Sequence, residues 1–362
     1  MPGLVTGGGA FAVRLTHRNP AAAPGGAMAQ VFTVDCAMTD EPYLPIPRKE
    51  KEFRILALSG GGYLGVYTAA LLADLEDRVG EPLGRRFDLI AGTSVGGILA
   101  VGLGYELPMR QMLALFLERG RQVFSQRALP RGAMSRLIDL TRSVLGPKYD
   151  GVALRTALTD FLGEATLDSA LHPLVIPSVN VTRSQTKVFK TPHRAASKGD
   201  EDMRAVDVAM ATCAAPAYFP AVPIRGELFA DGGLFCVAPD QVALHEAEHF
   251  MGVNVNRVRM LSLGTGTLGY QPSEGVSDDA GAVGWLSDGR LLLTLISVQQ
   301  QHVQAMMEDR LASRYLRLDA PWPQHAGLGI DVATAESARI LTAMAQETMR
   351  TLNLRRLDSF LK

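Results

Sequence analysis

The chain has 362 residues, 47% of them hydrophobic and 20% charged, which is enough apolar material for a sizeable core. Lys+Arg is 36 and Asp+Glu is 37, so the formal net charge of −1 argues against a protein that coats nucleic-acid phosphates. No apolar run reaches the roughly eighteen residues of a membrane-spanning helix, and Cys36, Cys213 and Cys236 have neither disulfide-framework nor zinc-ligand spacing. A reducing compartment is expected.

The first 30 residues hold six Gly, seven Ala and three Pro, without hydrophobic period and without the basic start of a secretory signal. Residues 1–49 are therefore read as an irregular or disordered extension, with Met38 a candidate natural start, and residues 50–362 as a single domain. Residues 54–58 form a short apolar run ended by Ser59-Gly-Gly-Gly62, a buried strand. A helix follows over 63–79, with Leu71, Leu72 and Leu75 on one side and Gly80 as its stop. Residues 87–91 read as a second strand, and 95–103 as a helix of small residues.

Further on, 174–181 and 186–190 read as strands, 204–215 as a helix and 227–230 as a short strand. Residues 258–263 are a strand, 291–311 a long helix and 314–318 a late strand. Residues 270–284 read as an irregular loop. Strands alternating with helices predict a three-layer α/β/α sandwich around a mostly parallel sheet.

Gly92-Thr-Ser94-Val-Gly96 matches G-x-S-x-G between a strand and a helix. A sharp turn there lifts a serine oxygen above the sheet, and small neighbours let the chain reverse without collision. Three glycines, Gly60, Gly61 and Gly62, follow the first strand and can converge main-chain N–H groups on one oxyanion. The same segment satisfies the dinucleotide fingerprint, Gly60-x-Gly62-x-x-Gly65, but the second strand ends in Ile90-Ala91 without the acid that would hold a ribose. The serine needs a base. His302 lies in a helical pattern and His325 in a Pro-flanked loop. Asp231-Gly232-Gly233 follows a short strand and presents a carboxylate on an exposed turn. His245-Glu-Ala-Glu-His249 satisfies H-E-x-x-H, yet its apolar stripe puts both histidines and Glu246 on the wet side, and no third zinc ligand is evident.

Three elements in this order, Ser59-Gly-Gly-Gly-Tyr-Leu-Gly65, Gly92-Thr-Ser-Val-Gly96 and Asp231-Gly-Gly233, resemble the patatin-like phospholipase family. Lys148-Tyr149-Asp150 and Ala211-Thr-Cys-Ala-Ala-Pro-Ala-Tyr-Phe-Pro220 resemble further stretches of it. The resemblance implies a Ser–Asp dyad of Ser94 and Asp231, an oxyanion loop of Gly60, Gly61 and Gly62, and metal-free, cofactor-free hydrolysis of fatty acyl esters. Phospholipids are the implied substrate. Leu64 stands where the family usually has Arg or Lys, and Phe235-Cys-Val-Ala-Pro239 replaces a run that often carries Asn.

The length and the Ser-Gly-Gly-Gly-Tyr opening are most similar to bacterial members, some of them anti-phage effectors switched on by a cyclic dinucleotide. That resemblance implies a cytoplasmic enzyme that works at the inner membrane face, with a cyclic dinucleotide activator and homo-oligomeric assembly as further expectations. A Ser-His-Asp esterase or thioesterase acting on small soluble esters is the alternative, with His302 or His325 as base. One more segment bears on the membrane: Leu113, Leu115, Phe116 and Leu117 among Arg110, Arg119 and Arg121 read first as a core-packed helix, and otherwise as a lid that lies on lipid.

Overall fold

The computed structural model describes residues 51–124, 126, 146–194, 199–271, 285, 289–323 and 326–362. His325, Cys36, Met38, the expected extension 1–49 and most of the expected loop 270–284 lie outside them. Residues 51–362 form one compact unit.

The chain begins with β1 (Phe53–Leu58), whose alternation decides the layers. Ile55 and Ala57 point to one face of the sheet and Leu56 and Leu58 to the other, because successive strand side chains alternate. After a 3-10 turn at Gly62–Leu64 comes α1 (Gly65–Val79), then β2 (Leu89–Gly92) and the wholly buried α2 (Val95–Gly104). Helices α3 (Met109–Val123) and α4 (Val152–Leu162) precede β3 (Leu174–Asn180) and β4 (Gln185–Lys190). Next are α5 (Ala205–Thr212), β5 (Val222–Ile224), β6 (Glu227–Asp231), α6 (Asp240–His245) and β7 (Val258–Leu263). The chain closes with α7 (Arg290–Leu311), β8 (Tyr315–Leu318), α8 (Ala335–Thr351) and α9 (Leu354–Leu361).

Among the described residues the sheet has eight strands, in the order β5-β6-β3-β2-β1-β7-β8, with β4 also paired to β3. Strands β3, β2, β1, β7 and β8 run parallel to one another, whereas β4 and β6 pair antiparallel with β3, and β5 pairs antiparallel with β6. The larger core buries α1, α2, α3 and α5 with Leu56 and Leu58, and α8 packs over α1, where Tyr67 Oη lies 3.0 Å from Thr348 Oγ1. On the opposite face Ala243, Leu244, Ala247, Met307 and Leu311 cover Ile55, Ala57 and Leu89. The expected sandwich is therefore present, with its helices unequally shared.

One detail of β3 positions the site. Val175 pairs with Ala91 of β2 and with Lys190 of β4, so those two strands lie on opposite edges. Ser178 pairs with Asp231 of β6 and with Lys187 of β4. Strands β2 and β6 therefore share one edge of β3 and meet end to end, with Ile176 and Pro177 opposite the gap. Pro177 turns its carbonyl into that gap, where Thr212 Oγ1 donates to it at 2.6 Å. The N–H that proline lacks would have pointed the same way and found no ladder partner.

Helix α3 settles the reading of its apolar residues. Leu113, Leu115 and Phe116 are buried and Leu117 packs half-buried on the main core, so this helix supplies no apolar lid. Glu246 departs from expectation. It is 1% exposed, and a π-turn over Glu246–Phe250 shifts the helical phase and carries it inward. There Lys190 pairs with it at 2.5 Å and His193 at 3.1 Å, while the rings of His245 and His249 stack outside with centroids 5.1 Å apart.

Candidate active site

The serine turn is forced by local sterics. A Cβ at Gly92 would meet the Gly96 carbonyl oxygen at 2.1 Å, and one at Gly96 would meet the Leu58 carbonyl oxygen at 2.3 Å. Between them Ser94 sits at φ 56°, ψ −128°, a conformation that costs a side-chain-bearing residue about 1–3 kcal/mol. The surroundings hold it there. Its carbonyl accepts from the N–H groups of Gly97 and Ile98, and its own N–H donates to Thr212 Oγ1 at 3.0 Å.

The Ser94 hydroxyl donates to Asp231 Oδ2 at 2.7 Å. Asp231 ends β6, is 6% exposed, and accepts the Gly233 N–H on Oδ1 at 2.7 Å. The second oxygen is thus fixed by the Asp-Gly-Gly turn while the first faces the nucleophile. Burial pushes the carboxyl up to about 6, against the opposing pull of the Gly233 N–H and the Ser94 hydroxyl. An acid with that value is mostly ionised at neutral pH, yet basic enough to take a proton. Cys213 stands beside both residues, and burial together with the Asp231 charge holds it as a neutral thiol.

The glycine loop lies against this pair. A Cβ on Gly60 would stand 3.1 Å from Ser94 Cβ, and one on Gly61 would stand 2.7 Å from Thr265 Oγ1. Gly62 has φ 59°, and a Cβ there would run into the Ile330 carbonyl oxygen at 2.2 Å. The three glycines differ in what their N–H groups can do. The Gly60 N–H donates to the Val237 carbonyl at 2.9 Å, so Gly60 contributes close approach and not a free donor. Among the described residues the Gly61 and Gly62 N–H groups are not taken up.

The loop is braced from two sides. Tyr63 N–H donates to the Ile330 carbonyl at 2.6 Å, and the next residue, Asp331, accepts from Tyr149 Oη at 2.7 Å and pairs with Lys148 at 2.8 Å. Beneath it the buried Arg317 reaches Ser59 Oγ at 3.4 Å, Ser262 Oγ at 2.8 Å, Gln300 Oε1 at 2.6 Å and Asp319 Oδ2 at 2.9 Å. Leu64 is fully buried in the main core, so in this packing a cation at its position would be stripped of water.

Ser94, Asp231 and the glycine loop thus come together; of the two histidines named as rivals, His302 does not join them and His325 lies outside the described residues. His302 is exposed on α7, and among the described residues Ser94 Oγ bonds to the Asp231 carboxylate and to no histidine. Thr212, Cys213 and Arg317 escaped the reading of single residues. The first two lie in the singled-out stretch 211–220, but nothing local marks which of its side chains faces the serine.

A profile of the family described as patatin-like phospholipase matches residues 56–240. A protein of Pseudomonas aeruginosa named cGAMP-activated phospholipase is 41% identical over 268 residues, covering 74% of this chain and 78% of that one. Proteins of the same name from Vibrio cholerae and Escherichia coli are 33% and 30% identical, over 82% and 81% of this chain and 90% and 88% of theirs.

Proposed function

The chain belongs to the patatin-like phospholipase family of lipid acyl hydrolases, and we propose that Ser94 and Asp231 carry its reaction, with Gly61 and Gly62 as oxyanion donors. Ser94 Oγ attacks the ester carbonyl carbon while its proton passes to Asp231 Oδ2. The carbonyl oxygen takes the negative charge and is met by the Gly61 and Gly62 N–H groups, within reach of the positive end of α2. Collapse of this intermediate breaks the ester bond. Asp231 returns its proton to the departing alkoxide, which leaves as the lysolipid alcohol. Water then attacks the acyl-serine, Asp231 takes one of its protons, and collapse releases the fatty acid and restores the Ser94 hydroxyl.

The observation that supports this reading most directly is the 2.7 Å hydrogen bond from a strained serine to a carboxylate buried enough to act as a base. The test is fatty-acid release from phospholipid vesicles by the wild type, Ser94→Ala and Asp231→Asn, with fluorophosphonate labelling of the serine. Abolished release in both variants, with labelling lost in the first, is expected. Retained turnover in Asp231→Asn overturns the dyad.

The three relatives are named for activation by cGAMP. We extend that to this chain: a cyclic dinucleotide raises its activity, with the cytoplasm, where such a signal is met, as its setting and self-assembly as a route to activation. The ligand must bind the active form more tightly than the resting one, since equal binding shifts no equilibrium. A panel of cyclic dinucleotides assayed for vesicle hydrolysis and for sedimentation tests this directly, and unchanged activity across the panel removes it.

A further inference from the structure

Helix α7 has an outer face unlike that of an ordinary surface helix. From Leu291 to Met307 it carries no Asp, Glu, Lys or Arg. Its inward residues Leu293, Ile296, Gln300 and Met307 are buried. Leu291, Leu295 and Val298, spaced by four and three, lie together on the opposite side and are 37%, 45% and 57% exposed. A solvated helix normally places charge there. A contiguous apolar stripe instead marks a surface that meets something apolar.

The position of the stripe indicates what it meets. Gln299 clips α7 to the turn that follows the catalytic aspartate: its Oε1 accepts the Val237 N–H at 3.0 Å, and its Nε2 donates to the Gly233 carbonyl at 3.4 Å. That turn adds its own exposed apolar residues, Leu234 at 54% and Phe235 at 38%. At the start of the helix a Cβ on Gly289 would meet Tyr218 Oη at 3.6 Å, so α7 also borders the 214–219 segment beside Cys213. The stripe and the turn therefore form one apolar rim next to the dyad.

We propose that this rim, the outer face of α7 with Leu234 and Phe235, is the surface that docks on a phospholipid bilayer. The inference rests on the acyl-hydrolase reading of the Ser94–Asp231 site. The ester bonds of a bilayer lie at the boundary between head groups and acyl chains, the depth reached by an interfacial apolar helix face. An uncharged rim enters that boundary without stripping water from a charge. A second copy of the chain seated on the same rim would stand over the Asp231 turn and obstruct the approach of lipid.

The experiment compares wild type with the double variant Leu295→Asp/Val298→Asp, which alters two exposed side chains outside the catalytic apparatus. Co-sedimentation with phosphatidylethanolamine–phosphatidylglycerol vesicles, with and without cGAMP, reads docking. Hydrolysis of p-nitrophenyl butyrate and fluorophosphonate labelling read the dyad. The expected result is a fall of at least about tenfold in vesicle partition and in vesicle hydrolysis, with soluble-ester turnover and labelling unchanged. Val298→Trp, whose ring suits the interface, is expected to tighten partition about threefold, and it decides the matter if the aspartate pair fails to fold.

Wild type that ignores vesicles, or variants that partition as it does, overturns the proposal. A wild-type dimer that the aspartate pair turns into a monomer with vesicle binding intact also overturns it and gives the rim to a second copy. Absent labelling and absent soluble-ester turnover in the wild type count against the acyl-hydrolase reading instead, and the partition measurement still decides the docking face.

Discussion

Thr212 Oγ1 takes the backbone N–H of Ser94 at 3.0 Å and gives its own proton to the Pro177 carbonyl at 2.6 Å. One hydroxyl thus ties the strained serine to the interruption in the ladder of β3. Valine at this site keeps the shape and loses both bonds, leaving a buried donor and a buried acceptor without partners. Thr212→Val should lower stability by about 1–3 kcal/mol and kcat by about 10–100-fold, whereas Thr212→Ser should recover most of both. Urea unfolding and soluble-ester kinetics measure the two effects separately.

The acidity of Asp231 sets the pH profile. With its carboxyl pushed up to about 6, the active carboxylate form is lost as pH falls through that value. The kcat/KM for a soluble ester should rise tenfold per pH unit below about 6 and level off above about 7. A profile that is flat from pH 5 to about 8 would argue that another group accepts the proton.

The same burial has a stability consequence of definite sign. Between an unfolded value near 3.8 and a folded value of about 6, the unfolded chain releases its proton before the folded one does. Stability contributed by the protonated form is present below 3.8 and is lost as pH rises towards about 6, for a total of about 3 kcal/mol. Asp231→Asn should therefore unfold at higher urea than wild type at pH 7 and lose that advantage near pH 4, while its turnover stays abolished. Parallel urea titrations at the two pH values check this.

Arg317 and Asp319 are 4% and 6% exposed and pair at 2.9 Å beneath the glycine loop. Removing the cation alone leaves a buried carboxylate whose other oxygen still accepts the N–H groups of Gly266 and Ala320. Arg317→Met should cost about 3–5 kcal/mol, and adding Asp319→Asn should restore a large part of it. Thermal melts of the single and double variants distinguish a coupled pair from independent effects.

The serine turn, the glycine loop and the Asp-Gly-Gly turn could be read from single residues because each is dictated by near neighbours: Gly92 and Gly96 must be small where they touch, and Gly62 must adopt a positive φ. The short apolar runs likewise marked β1, β2 and β7, since buried parallel strands read as continuous hydrophobic segments. Thr212 and Arg317 could not be found in this way, because the residues of the site that they touch, Ser94 and Ser59, lie 118 and 258 residues distant along the chain. The orientation of Glu246 was hidden by a π-turn that breaks the helical period on which the reading depended. The engaged N–H of Gly60 was hidden because its acceptor, Val237, lies beyond β6, far along the chain.

The end-to-end meeting of β2 and β6 along β3 also bears on how the protein is made. Ser94 leaves the ribosome 137 residues ahead of Asp231, and the two face each other only once β6 has come back antiparallel to β3. Arg317, which supports Ser59 from below, is synthesised later still. A nascent chain therefore holds Ser94 without the proposed base Asp231, and the glycine loop without its brace, until most of it has emerged. Pairings this distant form slowly because a long loop must close first. In refolding, hydrolytic activity should return after the helical signal, so that the cell meets a competent lipase only as a finished molecule.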